Sequence, residues 1–511
     1  MNGFRRALGA LLALALVFSL CVPVSAAGTD AAAAVLAASP APVFGSVGGE
    51  WAVIGLARAG ARVPDGYFEG YYRRLALTVC DAGGVLSTQK YTEYARAVLA
   101  LSAIGRDARD VGGFDLTAPL LDFAAVTRQG LNGAVFALLA LDSGGYGTQS
   151  ARQKYVDHIA TAALPAGGWA LTGSAADADM TAMALCALAP YRAQKSVSAA
   201  VDAGLAALSA IQLDTGGFAA YGTETAESTA QVLIALCSLS VSVTDARFVR
   251  SGKSASDALS RLAVSGGYAH IAGGKMDQMA TEQALLAQAA MARARSGKTA
   301  LYTMTDVPKA SGLSGKDPAV RVPAPSATPA FTDLSGRSCR AAVFCLAARG
   351  ITTGKTAARF DPDASLTRAE FAALTARALG LGSRTDFPFT DVSKSSRLGG
   401  SIGAAYHSGI VNGITGTTFS PTRTVTRQEA CAMLARAAKL CGLNPDGADA
   451  GALSRYTDSA SCASYARTSV AFCVQAGILT PSGGKIFPRQ AVTRGEMAEM
   501  LYSLLLLANL I

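Results

Sequence analysis

The 511-residue sequence is poor in charge, histidine and tryptophan. Charged residues make up 16% of it, against about 25% in an average soluble chain. A disordered or coiled-coil chain needs more charge than this, and both are excluded. Only three histidines and two tryptophans occur. The histidines lie far apart and no Cys-x-x-Cys pair exists, so neither a His-based metal centre nor zinc-finger spacing is present, and no metal or cofactor is expected. The 53 glycines and 18 prolines follow no short period, which excludes a collagen-like chain. The apolar runs at 7–21 and 501–511 are also short of the ~20 residues a membrane-spanning helix needs.

What is present begins with a leader. Arg5 and Arg6 precede the apolar run, and Val24-Ser25-Ala26 offers a small-x-small cleavage site. Residues 1–26 therefore read as a secretory signal peptide, and no membrane span is expected after its removal. The closing run at 501–511 reads as the end of a buried helix. Nine cysteines remain beyond the leader, mostly in apolar helical runs, and read as small buried hydrophobes. A Cys462–Cys473 bridge stays open. Charge is uneven: residues 331–511 hold 19 Lys and Arg against 12 Asp and Glu, while 27–330 are balanced. A basic C-terminal part on an exported chain calls for an anionic partner outside the cell, and nucleic acid is not expected there.

The apolar pattern stops at 303–330, where Pro308, Pro318, Pro323, Pro325 and Pro329 mark a semi-extended linker. Before it, Ala/Leu-rich helical segments recur, separated by Gly-Gly turns such as Gly167-Gly168-Trp169, Gly216-Gly217-Phe218 and Gly266-Gly267-Tyr268. In these three units a Thr follows the aromatic residue 11 to 13 positions later and opens an apolar helix. Helices apolar on most faces must be surrounded by other helices, and about six helix pairs closed into a ring would satisfy that. Residues 27–302 thus resemble the α/α toroid of the terpenoid cyclase and protein prenyltransferase superfamily. Asp177-Ala178-Asp179-Met180-Thr181-Ala182 is similar to the acidic motif of squalene–hopene-type cyclases. That resemblance implies Asp179 as the proton donor and Asp177 as its partner. The other reading is that both carboxylates sit at a helix N-terminus as caps.

After the linker, four landmarks repeat three times in order. Phe331-Thr332-Asp333, Phe389-Thr390-Asp391 and Tyr456-Thr457-Asp458 open the units; Gly350-Ile351, Gly409-Ile410 and Gly477-Ile478 end a first helix. Phe360, Phe419 and Phe487 precede a polar loop, and Thr367-Arg368-Ala369-Glu370, Thr426-Arg427-Gln428-Glu429 and Thr493-Arg494-Gly495-Glu496 open a second helix. Thr with Glu three residues on is a capping box. An Arg in the first turn opposes the helix dipole, so it needs a reason. Free N–H groups, the dipole and a guanidinium together would make an anion site; an ion pair from the Arg to the Asp of the first landmark is the alternative.

These units resemble S-layer homology domains over 331–386, 387–453 and 454–511. The resemblance implies a pseudo-threefold set of two-helix units binding a pyruvylated, anionic secondary cell-wall polysaccharide in grooves between them. It points to Arg368, Arg427 and Arg494 as ligand contacts, with Asp333, Asp391, Asp458, Gly350, Gly409 and Gly477 supporting. The family's aromatic residue twelve positions before the helix-ending Gly is kept only as Tyr465; Ser338 and Arg397 hold the other places. The fold class expected is all-α, and the function expected is a secreted wall anchor displaying a toroid. That toroid would bind a small ligand or a surface protein. The alternative is an anchored enzyme, a cyclase using Asp179 or a polysaccharide lyase.

Overall fold

The computed structural model describes residues 26–38, 42–309, 314–327 and 329–511, with side chains from residue 31. The leader lies, but for Ala26, outside the described residues. About 51% of the chain is helical, with only short two- and three-stranded hairpins, so the protein is mostly α-helical. Its residues gather into two compact units that are not contiguous in sequence. Among the described residues, one holds those from 26 to 65, 130–139 and 153–304; the other holds 66–129, 140–152 and those from 305 on.

In the first unit the Ala226–Ser238 helix packs between Ala178–Leu188 and Gln278–Arg295, and Gln278–Arg295 also packs on Trp51–Ala59. The Gly-Gly-aromatic turns lock these helices together. Trp169, Phe218 and Tyr268 are buried, and their backbone N–H groups donate to Thr181 Oγ1 (2.9 Å), Thr229 Oγ1 (3.1 Å) and Thr281 Oγ1 (3.0 Å). A buried N–H that no helix or strand ladder engages must find an acceptor, and the Thr one turn into the next helix supplies it. Gly168 is required twice over: its φ is +76°, and a Cβ there would stand 2.8 Å from Ala176 Cβ. Asp177 caps Ala178–Leu188 through Met180 N–H (2.7 Å), as Asp277 caps Gln278–Arg295 through Ala280 N–H (2.8 Å).

The second unit contains the three C-terminal repeats. The second helix of each repeat packs on the first helix of the next: Arg368–Ala378 on Gly399–His407, Arg427–Leu440 on Arg467–Gln475, and Arg494–Leu507 on Arg340–Ala348. The connections therefore run first to second, second to third, and third back to first. Three backbone hydrogen bonds follow the same cycle where the second helices begin. Leu366 N–H donates to Val492 O (3.0 Å), Val492 N–H to Val425 O (2.9 Å), and Val425 N–H to Leu366 O (3.1 Å). The Tyr67–Asp81 helix packs against Arg340–Ala348 in this unit. Phe114 stacks on Phe344 at 6.1 Å, and Arg349 pairs with Asp110. The nine described cysteines are free thiols; Cys473 Sγ–H donates to Cys431 O at 3.8 Å rather than bridging to Cys462.

One buried acid in the first unit has a titration worth measuring. Glu282 is 0% exposed; its Oε1 accepts Gly48 N–H (2.8 Å) and Gln278 Nε2–H (2.8 Å), while Oε2 is without a partner. Burial, reinforced by the Glu50 and Asp277 charges, pushes its carboxyl up to about 7 against the two hydrogen bonds. The folded state therefore holds this proton more tightly than the unfolded chain does. Its contribution to stability is whole below about pH 4.3 and falls as the pH climbs toward the folded value. Urea midpoints of Glu282→Gln, which keeps the acceptor but cannot ionise, should decline less over that range than those of the wild type.

Candidate functional site

The junctions between repeats are where the expected ligand residues meet. All three second helices begin with a complete capping box, Thr367 with Glu370, Thr426 with Glu429, and Thr493 with Glu496. The next N–H groups are not free, contrary to the expectation of an anion site built on them. Arg368 N–H donates to Arg423 O (2.7 Å) and Ala369 N–H to Pro421 O (3.1 Å); Arg427 and Gln428 donate to Gln490 O (2.8 Å) and Pro488 O (2.9 Å). Arg494 and Gly495 complete the set on Ala364 O (2.9 Å) and Pro362 O (2.8 Å). Each helix N-terminus is thus saturated by the loop of another repeat.

The guanidinium groups follow the same route. Arg368 donates from Nε to Phe419 O (3.0 Å) and from Nη2 to Asn412 O (2.6 Å), and lies 4.8 Å over the Phe419 ring. Arg494 donates to Phe360 O (2.9 Å) and Thr353 O (2.7 Å), 4.4 Å over the Phe360 ring. Arg427 differs. Its Nη2 reaches Thr480 O (2.9 Å) and its Nη1 pairs with Glu496 (2.7 Å), while its Nε is buried without a partner. The three residues are only 7%, 7% and 8% exposed. So neither the open ligand contact nor the ion pair to the landmark Asp describes Arg368 and Arg494: both staple one repeat to the next.

Asp333, Asp391 and Asp458 act inside their own repeats. Asp333 accepts Phe360 N–H (2.9 Å) and Asp361 N–H (2.7 Å); Asp391 accepts Phe419 N–H (2.8 Å) and Ser420 N–H (2.7 Å). Burial alone would raise the carboxyls of Asp333 and Asp391, but these N–H groups outweigh it and hold both below the usual range. Asp458 accepts Ile486 N–H (2.9 Å) and Phe487 N–H (2.7 Å). Ile486, not Phe487, therefore occupies the place of Phe360 and Phe419, a correction of one residue to the sequence pattern. Phe487 instead takes the positive-φ position of Asp361 and Ser420 (φ 47°, 63° and 61°). The invariant Pro that follows, at 362, 421 and 488, is the landmark that would have set this register. Gly350, Gly409 and Gly477 end their helices with φ of 66°, 71° and 67°, and the Ile after each donates back into its helix in the Schellman manner.

Electrostatics separates the junctions further. Burial lowers the pKa of Arg368, and the like charges of Arg423 and Arg436 press the same way, whereas Glu429 and Tyr465 oppose. Tyr465 is 62% exposed beside this cationic group. Arg494 has instead Glu370, Asp361 and Asp333 around it. At Arg427 there is a cavity of about 300 Å³. In the first unit, Asp179 lies in the first turn of Ala178–Leu188 rather than at its cap. Burial raises its carboxyl against the Ser228 hydrogen bond, and Oδ1 is without a partner.

The S-layer homology domain family matches residues 330–372, 388–431 and 455–498. The chain is 31% identical over 177 residues to an amylopullulanase of Thermoanaerobacterium thermosulfurigenes, covering 34% of this chain and 9% of the relative. It is 29% identical over 181 residues to exoglucanase XynX of Acetivibrio thermocellus, covering 35% and 16%. It is also 29% identical over 209 residues to the surface-layer 125 kDa protein of Lysinibacillus sphaericus, covering 40% and 16%. The chain thus spans only a small part of the length of these relatives. It carries three S-layer homology domains, a class that binds secondary cell-wall polymers, and is a secreted protein of the cell wall or S-layer surface. Among the described residues no helix is long and apolar enough to cross a membrane.

The staples make a stability prediction. Arg368→Ala or Arg494→Ala strips two carbonyls of their donor and a ring of its cation, and each should cost about 3 kcal/mol in urea unfolding. Arg427→Ala, which gives up one carbonyl bond and the Glu496 pair but no ring contact, should cost about 2 kcal/mol.

Proposed function

We propose that the three repeats form a pseudo-threefold anchor that holds the chain, without a covalent bond, on an anionic pyruvylated secondary cell-wall polysaccharide. Residues 27–302 are then an α/α toroid displayed outside the cell, joined by the linker at 303–330. The observation that carries the anchor reading is the exposed Tyr465 ring beside Arg423, Arg436 and the buried Arg368. A sugar face stacks on such a ring, and a ketal carboxylate is drawn to guanidinium groups that crowd one another. Arg368 holds the junction behind them, and Gly409 sets the turn before Asn412. The acidic surroundings of Arg494 make its junction the poorest of the three for an anion.

The toroid reading draws support from the repeated Thr-to-aromatic bonds and from the packing of Trp51–Ala59 on Gln278–Arg295. A cavity of about 600 Å³ lined by Cys237, Val241, Met291, Arg295 and Lys298 is where a small ligand would sit. The second reading, an acid-catalysed cyclase, rests on the raised carboxyl of Asp179 beside Asp177 and Glu227. Turnover of squalene that disappears in Asp179→Asn would favour it over binding.

For the anchor, the full chain should co-sediment with pyruvylated wall sacculi, less so in high salt. Sedimentation should be lost after acid removal of pyruvate, and Tyr465→Ala with Arg436→Ala should weaken it about tenfold. Unchanged sedimentation on depyruvylated sacculi would sink the anionic-ligand reading.

A further inference from the structure

Two neighbouring helices of the first unit, Ala226–Ser238 and Gln278–Arg295, end on the same motif. Val241 N–H donates to Leu236 O (2.9 Å) and Ser240 N–H to Cys237 O (3.2 Å); Lys298 N–H donates to Arg293 O (3.0 Å) and Gly297 N–H to Ala294 O (3.2 Å). Such an end requires a positive φ at its turning residue. Gly297 supplies it at 63° without strain, as do Gly60, Gly350, Gly409 and Gly477 at their own helix ends. Asn509 does the same, and Asn enters this region readily. Only the Ala226–Ser238 helix, among these, turns on a serine, Ser240 at φ 56°. A Cβ at that angle is unfavourable, so the hydroxyl it carries calls for a reason beyond folding.

The two helix ends and the segments after them line the cavity of about 600 Å³. Ser240 lies on it, and Val241, Val243, Ala290 and Met291 give it an apolar wall. Arg295 and Lys298 line it as well, and no carboxylate does. Neither side chain has an ion pair or hydrogen bond with a described residue. The dipole of the Gln278–Arg295 helix accounts for one cation at its end, and buried Arg293, donating from Nε to Thr299 O (2.9 Å), already fills that place. Arg295 and Lys298 are surplus to it. Both are exposed, as is Ser240, so all three groups are reachable from solvent. Burial pushes the Cys237 thiol up to about 12 and the charge of Arg295 opposes it, so the field of Arg295 reaches the cavity wall. Glu227 opens the Ala226–Ser238 helix, and at 1.5 Å per residue it lies about 15 Å from this end. The cavity is therefore separate from the acidic groups around Asp179.

We propose that this cavity binds a small amphipathic carboxylate, an aliphatic chain ended by one negative charge, which Arg295, Lys298 and the Ser240 hydroxyl hold while the chain covers the apolar wall. The proposal rests on the reading of residues 27–302 as a binding module and names the class of its ligand. The volume falls within the ~300–1,000 Å³ range of small-ligand sites, so it admits a chain of moderate length and not a polymer. Two cations without a protein acid favour an anion over a neutral or cationic amphiphile, and apolar burial favours a chain over a bare acid.

Calorimetric titration of the full chain with decanoate, decyltrimethylammonium and acetate tests this. Decanoate should bind at one site, and the other two at least tenfold more weakly. Arg295→Gln with Lys298→Gln should weaken decanoate about tenfold. Ser240→Gly relieves the backbone, so its urea midpoint should hold or rise while decanoate affinity falls severalfold; a merely structural serine would move the midpoint alone. Cys237, the one described cysteine that is not buried, reports the place: saturating decanoate should slow its labelling by methyl methanethiosulfonate. Equal binding of decyltrimethylammonium, unchanged affinity in the double variant, or labelling that decanoate does not slow would each overturn the proposal. Native mass spectrometry of the protein from culture medium then separates the two levels. A co-purified ligand of other chemistry leaves the binding module standing without this site, whereas squalene turnover that needs Asp179 removes the module reading itself.

Discussion

Everything in the repeat region depends on arginine side chains that leave their own repeat to hydrogen-bond the backbone of another. Arg368, Arg427 and Arg494 each open a helix, where a cation is unfavourable. The compensation is long-range: carbonyls of the following repeat take the guanidinium. Arginine suits this because its planar fork serves two acceptors while its face rests on a ring. With three such links in one cycle, no repeat has an unmatched end. The same atoms cannot hold the fold together and remain free for a ligand, which is why the proposed polymer contact is placed beside the staples.

That separation explains how three similar units come to differ. The first junction keeps its staple closed and gathers Arg423, Arg436 and Tyr465 on its outside. The last is closed and acidic. The middle one has lost its ring to Ile486 and is open at Arg427. Where Arg368 and Arg494 each lie over a ring, Arg427 pairs with Glu496 instead and borders a cavity of about 300 Å³.

Much of this was legible in advance and some was not. The capping boxes, the helix-ending glycines and the Thr placed 11 to 13 residues after each aromatic turn are local or periodic, and each appears where its spacing puts it. The Asp of each opening landmark was visible, but its role was not. It reaches 27 to 29 residues ahead to hold the turn beneath the arginine. Phe487 was misplaced by one position because an aromatic residue is a stronger signal to the eye than the Pro that follows it. Nor did the break at 303–330 foretell that 66–129 gather with the C-terminal repeats. Contacts such as Phe114 with Phe344 leave no periodic trace.

The sequence by itself determined that there are three repeats, how each helix begins and ends, and that the positive charge lies in the last part of the chain. These follow from short-range hydrogen bonding and composition. Only the tertiary structure decided which arginines are staples and which one is left unsaturated. Their acceptors lie 44, 53 and 141 residues away, and a partner at that distance is chosen by how the units pack, not by the residues on either side.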